Sequence, residues 1–128
     1  MNKPLLVACS LSFLTFFIHV FKGGPKIHDA IIAGNVSDYV SAVGSVVWHA
    51  TSAILFINSI ALFYAAQKQV WRKSVTLLVF AQYLAFTVLF LGYGFARFGS
   101  VLVVPHWMAF AVILFLALWG LSSSREKT

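Results

Sequence analysis

The chain has 128 residues, 61% of them hydrophobic and only 9% charged. Soluble domains carry about 25% charged residues, so this composition excludes an ordinary soluble enzyme or binding module and belongs to the membrane class. The net charge of +6 does not point to nucleic acid, because the basic residues fall at the ends of apolar runs, where lipid headgroups meet them.

In chain order, a first apolar span covers about 4–21, between Lys3 and Lys22. Leu6-Val7-Ala8-Cys9 loosely resembles a lipoprotein cleavage box. The apolar run continues past it to Phe21, however, so neither lipidation nor removal of this segment is expected. A polar connection at 22–41 follows, with Gly23-Gly24-Pro25, Asp29, Gly34-Asn35 and Asp38, and room for a short interfacial helix at 28–33. Span two covers about 42–66, a basic connection 67–74, span three 75–96, a tight turn 97–100 and span four 101–121. Each span is long enough to cross about 30 Å of hydrocarbon at 1.5 Å per residue. The expectation is an all-α membrane protein: one four-transmembrane-helix bundle over 1–128, multi-pass, in a bacterial inner membrane with the lipid bilayer as its surroundings.

Lys3, Lys68, Arg72, Lys73, Arg125 and Lys127 fall on one side, and Lys22, Lys26 and Arg97 on the other. The richer side is expected to be cytoplasmic, with the N and C termini on it. Trp71 and Trp107 lie near span ends, where aromatic belts form. Cys9 is the only cysteine, which excludes an intrachain disulfide and a thiolate metal cluster.

Polar groups inside spans need partners, because hydrocarbon offers none. His19, His49 and His106 lie about 22–25 Å from the cytoplasmic ends of spans one, two and four, counted at 1.5 Å per residue. Ser12, Thr15 and His19 form one helical stripe, and Ser45, His49, Ser52 and Ser59 another. Tyr93 reaches a similar height on span three. These residues predict an outward-opening site with His19, His49 and His106 as candidate ligands and Tyr93, Ser45 and Ser52 behind them. His28, Asp29 and Asp38 in the outer connection are further candidate metal ligands. For any one histidine the plainer role is a hydrogen bond between helices. Asn58 and Gln82, both about 12 Å from their cytoplasmic span ends, are expected to hydrogen-bond and join spans two and three structurally. Ser41, Gly44, Ser45, Ala81 and Ala85 mark close helix approach, and Gly92-Tyr93-Gly94 is expected to loosen the end of span three.

Several imidazoles with an aspartate suit zinc, copper, nickel or iron. Two histidines at matched height, His19 with His49 or His49 with His106, suit a haem b, which would make the protein an electron carrier or a quinone-linked redox subunit. Neither a Gly-x-Ser-x-Gly elbow nor an HExxH helix is present, so hydrolytic chemistry is not indicated. In length and span number the chain is similar to the small multidrug-resistance exporters. Those carry a glutamate inside span one, and here span one has none. The alternatives are therefore a small homo-oligomeric transporter using histidines, or a non-catalytic subunit of a larger membrane complex.

Overall fold

Asn2 starts the first helix. Its Oδ1 accepts from the Leu5 N–H at 3.1 Å, and Pro4 occupies the first turn, where its missing N–H is no loss. The computed structural model describes residues 1–125, with side chains to Ser123; Glu126 and Lys127 of the basic tail lie outside the described residues. Helix α1 spans Lys3–Ile18. It runs into a π-helical segment, His19–His28, and then α2, Asp29–Ala33, as one helical stretch of 31 residues. The stretch 22–33, read from sequence as connection, is therefore largely wound into the first helix. Pro25 explains the change of winding. In α geometry its ring would press on the carbonyl four residues back, and the wider π turn relieves that crowding.

Helix α3, Asp38–Gln67, begins with Ser37 Oγ accepting from the Val40 N–H at 3.4 Å. Helix α4, Gln69–Phe98, follows after Lys68 alone, so the expected eight-residue connection shrinks to one extended residue. Arg72 makes so sharp a reversal tolerable. Its Nε donates to Ala65 O at 3.0 Å and its Nη2 to Ala66 O at 3.2 Å, occupying carbonyls that the end of α3 leaves free. Gly99, at φ +63°, ends α4 in the left-handed conformation that glycine adopts freely. Residues 100–106 form turns, pinned by Trp107 Nε1 donating to Val101 O at 2.9 Å. Helix α5, Trp107–Arg125, thus starts six residues later than expected. Helix α4 also stays helical through Gly92-Tyr93-Gly94. A Cβ at Gly94 would meet Val104 Cγ2 at 3.0 Å, so this glycine seats the following loop and does not loosen the helix.

Each helix packs on its neighbours in sequence order, α1 on α3, α3 on α4, α4 on α5 and α5 back on α1, giving an antiparallel four-helix ring. The buried faces follow the 3.6-residue period: Leu5, Ala8, Cys9 and Ser12 on α1; Leu55, Asn58, Ser59, Leu62, Ala65 and Ala66 on α3; Thr76, Val79, Tyr83 and Thr87 on α4; Phe110, Ile113, Leu114 and Ala117 on α5. Three helices are long and apolar enough to cross a membrane, and α5 is a shorter apolar fourth. Lys3, Lys68, Arg72 and Lys73 gather at one end of the ring, the basic end. There Asn2 N donates to Ala66 O at 2.9 Å and Asn2 Nδ2 to Gly120 O at 2.6 Å, tying α1, α3 and α5 together. At the opposite end, neither the π-helical segment nor α2 has a fully buried residue.

Candidate functional site at the histidine end

Winding decides which side chains meet at that less packed end. His19 and His28 are nine residues apart, about two and a half turns of α-helix, which would place them on opposite faces. A π-helix closes its bonds one residue further on and turns in about 4.4 residues, so nine residues make about two turns. The π winding of His19–His28 therefore brings both rings to one side, where Trp48 of α3 stands. His19 stacks on Trp48 with ring centres 3.9 Å apart and planes 17° apart, and its Nε2 lies 3.5 Å from Trp48 O. His28 faces the same indole at 5.9 Å and 30°. Between them, a Cβ on Gly23 would come within 2.8 Å of Trp48 Cη2, so only glycine admits the indole this close.

His28 is the hub. Its ring centre is 5.0 Å from that of His49, edge to face. Its Nε2 is 3.2 Å from Ser45 Oγ and its Nδ1 3.6 Å from Asp29 Oδ1, an ion-pair distance. Ser52 Oγ donates to Trp48 O at 3.0 Å, the carbonyl that His19 approaches. So His19, His28, His49, Ser45, Ser52 and Asp29 fall in one neighbourhood. Of the other three candidates, His106 lies within electrostatic reach of His19. His106, just before α5, stacks on Phe90 at 4.9 Å and 19°. Tyr93 is 68% exposed. Asp38 opens α3, where its carboxylate suits the helix N-terminus, and takes no part in the cluster. Among the described residues no group of three or more His, Cys, Asp or Glu converges closely enough to hold a metal ion. The close pair is His28 with His49.

Trp48 and Gly23 were missed by sequence reasoning. The only signal was a tryptophan next to His49 and a glycine four residues after His19.

Towards the basic end, rings of Phe13, Phe16 and Phe56, and of Phe86, Phe90 and Phe110, pack against one another at spacings of 5.3–6.1 Å. Below them lies a buried hydroxyl relay. Ser59 Oγ donates to Leu55 O at 2.8 Å, so it accepts from Ser12 Oγ at 2.7 Å, which accepts in turn from the Tyr83 hydroxyl. Ser12, Ser59 and Tyr83 are all fully buried, and the relay joins α1, α3 and α4. Asn58 is buried beside it, but its Nδ2 has no hydrogen-bond partner, so the bond expected with Gln82 does not form. Depth was read correctly and face was not: Tyr83 points inward, and Gln82, one residue back, sits about 100° round the helix.

Two neutral imidazoles can share a cation. With bonds of about 2.0–2.1 Å and a tetrahedral angle, their ring centres lie about 5 Å apart. Axial ligands on either side of a haem iron need more than about 6 Å between ring centres. The 5.0 Å between His28 and His49 fits the first arrangement, so this pair suits a shared ion, whereas the pairs at matched height for a haem are His19 with His49 and His49 with His106. No protein-family model matches the chain, no curated protein matches it, and no solved structure matches it.

Proposed function

We propose that the protein is a multi-pass membrane protein, both termini cytoplasmic, that binds a transition-metal ion at its outer end and serves in metal handling. The orientation rests on the excess of lysine and arginine at the basic end. The carrying observation for the site is the His28–His49 pair at 5.0 Å. Asp29, on the Nδ1 side of His28, is the carboxylate that orients a ligating imidazole and raises its basicity. Ser45 Oγ, already beside Nε2, is an added oxygen. Imidazole with few oxygens favours zinc, copper or nickel. His19 supports the site by fixing Trp48.

Membership of a larger membrane complex is a second reading. Its support is the outward face of α5, where Phe115, Leu118 and Trp119 are exposed around a groove of about 440 Å³.

Purification without chelator, with elemental analysis and a visible spectrum, tests the metal reading. One zinc, copper or nickel per chain is expected, without a Soret band. His28→Ala and His49→Ala should each remove at least tenfold of the affinity, the order seen when a ligand or its orienting partner is lost; His106→Ala should not. A chain that takes up no added zinc, copper or nickel, or whose His28→Ala and His49→Ala variants bind like wild type, overturns it.

A further inference from the structure

A groove of about 540 Å³ runs between the extended first helix and the start of α3. Ile27, Ala30, Ile31, Val36 and Val40 line it, and Lys26 stands on its rim as the only charged lining residue. Gly44 lets the helices close beneath it: a Cβ there would come within 2.9 Å of Ile31 Cγ2. Apolar surface continues beyond the groove, with Ile32 54% and Val43 44% exposed.

We propose that this groove is a binding site for an anionic phospholipid, one acyl chain lying along it and the phosphate held by Lys26 and Lys22. The proposal rests on the reading of the helices as membrane spans. Three observations select this occupant. First, the groove is apolar along its length and basic at one rim, matching the two halves of such a lipid. Second, Lys22 and Lys26 are four residues apart, nearly one π turn, so both ammonium groups lie on one side of the segment. Their flexible stems can follow apolar surface while the charges reach a phosphate. Third, α3 has 30 residues and rises about 45 Å, beyond a hydrocarbon core of about 30 Å. Its first turns therefore stand at headgroup depth, where Val40 and Val43 nevertheless present exposed aliphatic surface. The two acids nearby are engaged elsewhere, Asp29 towards His28 and Asp38 at the start of α3.

Native mass spectrometry of the full-length protein tests this. It would be taken from nanodiscs of phosphatidylcholine containing a tenth phosphatidylglycerol. The wild type should retain one phosphatidylglycerol in preference to phosphatidylcholine. Lys22→Gln with Lys26→Gln should reduce that preference about thirtyfold, as expected when two juxtamembrane cations are removed. Ala30→Trp, which fills the groove from an exposed position, should reduce retention of both lipids. Equal retention of the two lipids by wild type overturns the proposal, as does selective retention that survives the lysine pair. Zinc binding at His28 and His49 should be unchanged in the lysine variant, so the metal reading stands or falls separately. A chain recovered in the soluble fraction of cells removes the membrane premise itself.

Discussion

Gly120 lies where α5 meets the start of α1, and its replacement by alanine sets two opposed effects against each other. In an unconstrained helix interior, alanine is more favourable than glycine by about 1 kcal/mol. Here the new Cβ would stand 2.6 Å from Leu5 Cγ, 2.8 Å from Leu5 Cδ2 and 3.0 Å from Asn2 Oδ1. Leu5 is fully buried, and Cγ is the branch point of its side chain, so it cannot swing clear. Restoring an ordinary carbon–carbon contact of about 3.5–4.0 Å requires α5 to retreat by about 1 Å. That retreat stretches the 2.6 Å bond from Asn2 Nδ2 to Gly120 O past the usual hydrogen-bond range. Overpacking of this kind costs about 1–3 kcal/mol and the lost bond about 0.5–1.5 kcal/mol. The sum outweighs the helical gain, and Gly120→Ala should destabilise by about 1–3 kcal/mol. Gly92 is the control: it also lies within a helix, and a Cβ there meets nothing within 4 Å. Thermal unfolding in detergent should therefore show Gly92→Ala melting at or above wild type and Gly120→Ala well below it. If the two variants melt together, the tight closure of the basic end is wrong.

Tyr83→Phe should lower stability by about 1 kcal/mol, since it removes the hydroxyl at the head of a buried relay; the denaturation midpoint of the variant checks this. Gly23→Val should push the indole of Trp48 off the π-helical segment, visible as altered tryptophan fluorescence, and weaken metal binding without lowering the melting temperature by more than a few degrees. Reporter fusions after Gln69 should read as cytoplasmic and fusions near Gly34 as exterior; an exterior signal at Gln69 would invert the orientation.

Helix number and buried faces were legible because apolar helices obey a single period. Ser12 and Ser59 of the two polar stripes are buried and form the relay, whereas His49 on the second stripe is exposed. Ends and windings were less legible. Gly23-Gly24-Pro25 carries the ordinary mark of a turn, and composition does not separate a turn from a helix that widens to accommodate proline. Lys68 likewise looked like part of a longer connection, because Arg72 caps α3 from within the next helix. For the site, height along the span was readable and azimuth was not. Height grouped His106 with His19 and His49, and His106 does come within electrostatic reach of His19, but its stack on Phe90 could not be read from height. His28 was assigned to a polar loop, and only π winding turns it into the hub.

The two ends of the bundle are closed in different ways. At the basic end, Asn2, Ala66, Arg72 and Gly120 satisfy one another's backbone groups across α1, α3, α4 and α5. Such closure fixes the register of four helices at once. At the opposite end the π segment is set against α3 by side-chain contacts, Trp48 against Gly23 and His19, and His28 against Ser45 and His49. A π segment is held by fewer neighbours and gives way more readily than α-helix. Any ligand that bridges His28 to His49 must therefore also hold the π winding, because reverting to α turns would carry His28 to the far face. Binding energy at this site is shared with the conformation of 19–28. A weakened π segment should lower apparent affinity even with every ligand atom intact.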